Sequence, residues 1–422
     1  MTFRLLIILF ILFVIDLYAF QSVKFLCKGF TPSQIRNTYI IYWSVSIFCF
    51  GLIIIGNIFD WHQWNKAFRT YSFAFVFIVF FSKLFVDIFL LIDDLVRFLR
   101  WSGARLFTAY STPDPTKAAV VKKGISRSGF LVKLAVIIGA IPFFSMIYGM
   151  LNGAYNYRKR KVILTLNNLP VSFDGFKIVQ ISDIHTGSFT RMNPMKEAVQ
   201  IINDQQPDLV FFTGDLVNDK HEEALPFIDI LREIKAKHGV YSIFGNHDYG
   251  DYMKWKNNDA KKENLKKLAE VHKQLGWNLL LDEHRHIEQN GERITVIGVQ
   301  NWSARMGFQR YGSIEKATQN ISYSPVNILL SHDPSHWKAQ ITDHYPQIDL
   351  TLSGHTHGMQ FGIEIPGFKW SPVQYFYKEW ADLYQHKNQF LYVNRGLGFL
   401  GYPGRVGILP EITVFELRRA EG

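Results

Sequence analysis

Five short segments place carboxylate, amide and imidazole groups at close spacing, each at the end of an apolar run. They are Ser182-Asp183-Ile184-His185, Gly214-Asp215, Gly245-Asn246-His247-Asp248, Ser331-His332-Asp333 and Ser353-Gly354-His355-Thr356-His357. Asp183 and His185 lie two apart, so a bend after a strand can aim both side chains at one ion. Asp215 has two carboxylate oxygens and can bridge two cations. Asn246 offers a neutral amide oxygen, and His332, His355 and His357 offer ring nitrogens. Mixed nitrogen and oxygen donors suit Mn, Fe or Zn better than an all-oxygen Ca or Mg site. Seven candidate ligands are too many for one tetrahedral ion and suit two ions sharing a bridge. Taken singly, each motif has a structural explanation: Gly214-Asp215 as a turn, His332 as a hydrogen-bonded histidine, Gly354-His355-Thr356-His357 as half a structural zinc site. The metal reading rests on all five occurring in order.

The elements that must position these groups are legible around them. Lys177–Ile181, Asp208–Thr213, Val240–Phe244, Val326–Leu330 and Ile348–Leu352 are short runs rich in Val, Ile, Leu and Phe, which read as buried strands. Helical patterns fall between them, over Met195–Asp204, Glu222–Lys237 and, as an amphipathic helix, Lys254–Gly276. Strand–helix alternation indicates an α/β sheet covered on both faces. Ligands of such sheets bind beyond the C-terminal strand ends, where every polar cluster stands. This region holds no cysteine, which excludes a disulfide framework, a zinc ribbon and a thiol nucleophile.

The N-terminal part has another character. Residues 1–161 carry 19 Lys/Arg and six Asp, a net +13, whereas 162–422 carry 27 basic and 30 acidic side chains. The basic balance therefore belongs to the first part alone, so no nucleic-acid partner is expected. Four apolar stretches, Phe3–Phe20, Tyr39–Phe59, Tyr71–Ile92 and Gly129–Met150, are expected to cross a membrane, the first as an uncleaved span. Lys83 and Asp87, four apart in the third, are expected to neutralise each other on one helix face. Asp93–Ser128, with Pro113 and Pro115, reads as a solvated loop with an interfacial helical start. The division is thus a membrane domain over 1–160 and a catalytic domain over 161–422. Loops after the first and third stretches hold ten Lys/Arg, against seven on the other side, which places the catalytic domain outside the cytoplasm. The run Arg158–Lys161 counts the other way.

The ordered set Asp183-x-His185, Gly214-Asp215, Gly245-Asn246-His247-Asp248, His332 and Gly354-His355-x-His357 resembles the calcineurin-like metallophosphoesterases, over about residues 175–418. Tyr392-Val393-Asn394-Arg395-Gly396-Leu397-Gly398, followed by Pro410-Glu411-Ile412-Thr413, is similar to the membrane-linked, YkuE-like bacterial branch. Met359 stands where that family commonly has a second glycine. The resemblance implies layered β-sheets flanked by helices, behind an N-terminal bundle of transmembrane helices. It implies one divalent ion held by Asp183, His185, Asp215 and His357, and a second held by Asp215, Asn246, His332 and His355. Such a pair activates a hydroxide and clamps a phosphoryl group. The resemblance further implies that His247 protonates the leaving oxygen or stabilises the transition state, with Asp248 either orienting it or capping a helix. Arg395 is a candidate phosphate contact or a strand-pairing residue. The substrate class implied is a phosphodiester, a phosphomonoester or a lipid-linked pyrophosphate, related enzymes acting on UDP-diacylglucosamine, with membrane lipids as partners in a bacterial inner membrane. The aromatic segment Phe368–Phe390 is core packing or a lipid-facing rim. The alternative is a non-catalytic membrane sensor or scaffold that binds metal in the same fold.

Overall fold

The computed structural model describes residues 3–59, 64–108 and 127–420. The chain forms two compact units, Met1–Tyr148 and Gly149–Gly422, against an expected boundary at 160/161.

The first unit is helical: α1 (Phe3–Leu26), α2 (Pro32–Ile58), α3 (Lys66–Thr108) and α4 (Arg127–Tyr148). Thr31 and Gln34 form a capping box and Pro32 starts α2, so the chain turns sharply out of α1. Phe3–Leu26, Pro32–Ile58, Lys66–Gly103 and Gly129–Gly153 are long and apolar enough to cross a bilayer. The helical start expected at Asp93 continues the third helix, which runs to Thr108, because Asp93 and Asp94 pair with Arg97 at helical spacing and no proline interrupts. The rest of the expected loop, including Pro113 and Pro115, lies outside the described residues. Lys83 does not neutralise Asp87. It pairs with the buried Asp16 of α1 and donates to Ser46 Oγ of α2 at 2.8 Å. Asp16 also accepts from Ser46 Oγ at 2.9 Å, so the carboxylate is already oriented when the lysine reaches it across the helices.

The second unit is built on two six-stranded mixed sheets. One has the order β1 (Arg158–Leu166), β14 (Glu411–Arg419), β2 (Lys177–Ile181), β3 (Leu209–Phe212), β4 (Val240–Ser242), β5 (Trp277–Leu279). The other runs β12 (Asp382–His386), β13 (Gln389–Val393), β9 (Leu350–Ser353), β8 (Asn327–Leu330), β7 (Glu292–Gly298), β6 (Glu283–Gln289). A separate hairpin joins β10 (Ile363–Ile365) to β11 (Phe368–Trp370). Side-chain alternation explains the layers. On β3, Leu209 and Phe211 face the inter-sheet core, with Ile178 from β2 and Ile328, Leu330, Leu350 and Leu352 from the other sheet. Val210 and Phe212 face the opposite way, into a core shared with α5 (Asn193–Asn203) and α7 (Asn258–Gln274). Strands wanted apolar on both faces give the continuous runs seen in the sequence. The helix expected over Glu222–Lys237 is reduced to α6 (Ile228–Leu231) after two short 3-10 turns. Pro226 lacks the N–H that a continuous helix needs.

β2, β3 and β4 are mutually parallel, as are β8 and β9. Their C-terminal ends point the five motifs at one place.

Candidate metal centre

Asp183 and His185 follow β2, Asp215 follows β3, and Asn246 follows β4. His332 follows β8, and His355 and His357 follow β9. The loops are stitched by backbone bonds: Asp183 N donates to Gly214 O at 2.9 Å, His185 N to Asp215 O at 3.1 Å, and Gly354 N to His332 O at 2.9 Å. Asp183, His185, Asp215, His355 and His357 all have left-handed backbone, with φ between 48° and 71°. Such conformations cost roughly 1–3 kcal/mol each and persist where the surroundings over-determine them. Glycine is required beside them: a Cβ on Gly354 would lie 2.0 Å from Ser182 Oγ and 2.2 Å from Asp183 Oδ2.

All seven candidate ligands converge. His357 Nε2 lies 3.0 Å from His185 Nε2 and 3.2 Å from Asp183 Oδ1. His332 Nε2 lies 3.1 Å from both Asp215 Oδ2 and Asn246 Oδ1. His355 Nδ1 lies 2.8 Å from the same amide oxygen. Asp183, His185 and His357 offer donor atoms within 4.8 Å of one another, as do Asp183, Asp215 and His332. The outer shell sets which nitrogen faces inward. His332 Nδ1 is 2.6 Å from Thr213 O and His185 Nδ1 is 3.1 Å from Asn218 Oδ1, so each ring presents Nε2 to the centre. His355 is turned the other way, with Nε2 2.8 Å from Tyr377 Oη and 3.5 Å from Asp333 Oδ2. Carboxylate, amide and ring lone pairs packed this closely fit a cation.

Electrostatics agree. Burial pushes His185 down to about 3, so its imidazole is neutral, and burial likewise lowers His355. Burial works against the Asp215 carboxylate, but His332 and His247 hold it well below the ordinary range.

His247 Nδ1 lies 2.8 Å from Asn218 O, and the His247 backbone N–H donates to Asp215 Oδ1 at 2.8 Å. The Asp248 carboxylate is engaged by backbone groups, which is neither of its two expected roles, orienting that ring or capping a helix. It accepts the N–H groups of Asp215 and Gly245 at 2.8 Å, of Leu216 at 2.8 Å and of Val217 at 3.3 Å. It fixes the backbone of two ligand-bearing loops instead. Arg395 is also placed elsewhere. It is buried among Glu411, Asp382 and Glu364, each within 2.8 Å, and is not a phosphate contact.

Several residues were missed in the motifs. Asn218 serves His185 with its side chain and His247 with its carbonyl. Asp333 and Tyr377 hold His355, and the buried Arg405 places Nη2 3.2 Å from His357 Nδ1. Only Asp333 carried a signal, its position next to His332.

Two family models match this chain. "Calcineurin-like phosphoesterase" covers residues 176–359, and "Probable Calcineurin-like phosphoesterase, transmembrane domain" covers residues 3–154. The chain is 31% identical over 310 residues to "Uncharacterized metallophosphoesterase YkuE" of Bacillus subtilis, spanning 70% of this chain and 99% of that one. It is 30% identical over 296 residues to "Transmembrane protein with metallophosphoesterase domain" of Danio rerio, spanning 68% of this chain and only 62% of that relative. "Phosphodiesterase YaeI" of Escherichia coli is 25% identical over 294 residues, 69% of this chain and 99% of that one. An Asp/His cluster built for metal at the strand ends, behind four apolar helices, is thus what the sequence kinship also describes: the chain is an integral membrane protein of the calcineurin-like metallophosphoesterase family.

Proposed function

We propose that this chain is a membrane-anchored hydrolase of phosphoric esters that works with two divalent ions. The observation that carries this is the convergence of seven acceptor side chains from five strand ends on one buried site. In this reading Asp183, His185, Asp215 and His357 hold one ion, and Asp215, Asn246, His332 and His355 hold the other. Mn, Fe and Zn match the mixed nitrogen and oxygen donors. When bound, the ions acidify water and offset charge on the phosphoryl oxygens.

The chain's own groups do the rest. Asn218 O holds His247 Nδ1–H, which leaves Nε2 to pass a proton to the departing oxygen. Asp248 keeps the Asp215 and Gly245 backbone in register, which makes it a positioning residue. Asn246 is held by Tyr252, to whose Oη its amide donates at 2.8 Å. Substrates in this reading are a phosphodiester, a phosphomonoester or a lipid-linked pyrophosphate. The name of the Escherichia coli relative favours a diester. In this reading the catalytic domain, residues 161–422, lies outside the cytoplasm of a bacterial inner membrane, which the excess of basic residues in the opposite loops supports.

The test is hydrolysis of bis-p-nitrophenyl phosphate and p-nitrophenyl phosphate by the full chain in detergent. Metal is stripped and Mn²⁺ restored, with Asp215→Asn as control. Activity that returns with metal and is lost in Asp215→Asn supports the reading. Two bound ions per chain with no turnover on these esters or on a lipid-linked one would replace it with a metal-binding sensor.

A further inference from the structure

The hairpin β10–β11 has two unlike faces. On the inner face Glu364 is held by Arg160 of β1 at 2.7 Å and by Arg395 at 2.8 Å. Strand alternation sends Ile363 and Ile365 the other way, and Phe368 pairs directly with Ile365. These three are 51%, 59% and 53% exposed, an apolar face on a hairpin that is firmly tied at its back. Single exposed apolar residues are ordinary, but three on one presented face indicate a covering partner.

The course of the chain says what covers it. The fourth apolar span continues to Gly153, within the second unit. Its last turn, Gly149–Gly153, is seated on Arg405 and Val406: Arg405 N donates to Gly149 O at 3.2 Å, and Gly153 has no room for a Cβ against Arg405 O. Val406 in turn pairs with the residues that lead into the hairpin, Gly362 N donating to Val406 O at 2.8 Å. The end of a membrane span and the root of the hairpin are therefore two sides of one small knot. Just past Gly153, the exposed Arg158 and Lys159 open β1 and share a cleft with Glu364, Ile365 and Pro366. Leu151, in the span's last turn, is 69% exposed.

We propose that the β10–β11 hairpin and the basic start of β1 dock on the headgroup layer of the bilayer that holds the preceding span. Ile363, Ile365 and Phe368 enter the headgroup–acyl boundary, and Arg158 and Lys159 meet anionic headgroups. The chain passes from the candidate ligand His357 through Gly358–Gly362 straight into this hairpin, so docking ties the segment after that residue to the lipid surface. The proposal needs the membrane anchor but no catalytic activity.

The experiment uses the full chain with Cys27→Ser and Cys49→Ser, carrying an environment-sensitive fluorophore on Ile365→Cys. The control is Lys266→Cys on α7, which packs on β5 at the sheet edge opposite β1. Protein is placed in nanodiscs of phosphatidylcholine, with or without phosphatidylglycerol, containing lipid spin-labelled near the headgroup. The expected result is blue-shifted emission and strong quenching at 365 but not at 266, with quenching deeper when phosphatidylglycerol is present. Introducing Arg158→Glu and Lys159→Glu should remove that dependence. A fluorophore at 365 as wet and unquenched as at 266 overturns the proposal. Shielding from water without quenching by labelled lipid also overturns it, in favour of a second protein surface. Quenching indifferent to phosphatidylglycerol overturns the part assigned to Arg158 and Lys159.

Discussion

At His332, proton and metal compete for one nitrogen. Its Nε2 stands 3.1 Å from Asp215 Oδ2. Burial alone would lower its pKa, but the Asp215 and Asp183 carboxylates raise it to about 10 in the metal-free protein. The unfolded value is about 6.5. A raised folded value means that the ion pair's stabilisation is complete below about 6.5 and is lost as pH rises through about 10. Metal affinity must run the other way and strengthen across that window, because binding displaces the proton. Calorimetry in buffers of different ionisation heat should therefore find roughly one proton released from His332 per chain as the ion it would hold is taken up at neutral pH. No release at neutral pH would show that His332 is already neutral. His247 is a different case, since in the proposed reading it stands beside the candidate ligands as the proton donor. His247→Ala should lower kcat by about 10²–10⁴-fold and leave metal content unchanged. Equal loss of metal and turnover would make it a ligand-shell residue instead.

At the scale of the element, the site is a set of strand ends held by what crosses between them. Asp248 is the clearest case, with four backbone N–H groups from two loops on one buried carboxylate. Asp248→Ala leaves those donors buried without a partner and should cost about 3 kcal/mol or more. Thermal unfolding and metal content should both fall, whereas a variant that loses turnover alone would point to direct chemistry. The candidate ligands were legible in the sequence because each follows a run of Val, Ile, Leu and Phe that reads as a buried strand. Their left-handed backbone was not, since nothing local marks it except the flanking Gly214 and Gly354. Asn218, Tyr377 and Arg405 were equally illegible. Their partners lie far along the chain, and the loops that carry them have no period to read. The same limit explains Lys83. A local i,i+4 rule assigned it to Asp87, while Asp16 on another helix, already held by Ser46, offers the better oxygen.

Across the whole molecule, each unit contains a buried ion pair that joins elements distant in sequence. In the second unit, Arg395 gathers Glu411, Asp382 and Glu364, and Arg160 joins it from β1. This ties together the hairpin, β12 and the β1–β14 sheet edge, elements that lie far apart in sequence. In the first unit, Lys83 and Asp16 do the same for α1 and α3, with Ser46 of α2 between them. Between apolar helices the lone member of a broken pair has neither water nor a counter-ion. Lys83→Met should therefore destabilise the full chain in detergent by about 3–5 kcal/mol, because Asp16 is left charged and buried. Adding Asp16→Asn removes the orphan and should recover most of that loss, since a neutral amide still accepts from Ser46. Asp87 should not take part: Asp87→Asn in the Lys83→Met background should give no comparable recovery. Thermal unfolding of the unmutated chain, Lys83→Met, Asp16→Asn and the two together completes a double-mutant cycle. If the Asp16 and Lys83 losses simply add, the helices are held by their apolar faces and the pair is incidental. If they couple, the membrane unit is fixed in register by one charge pair that no local spacing in the sequence reveals.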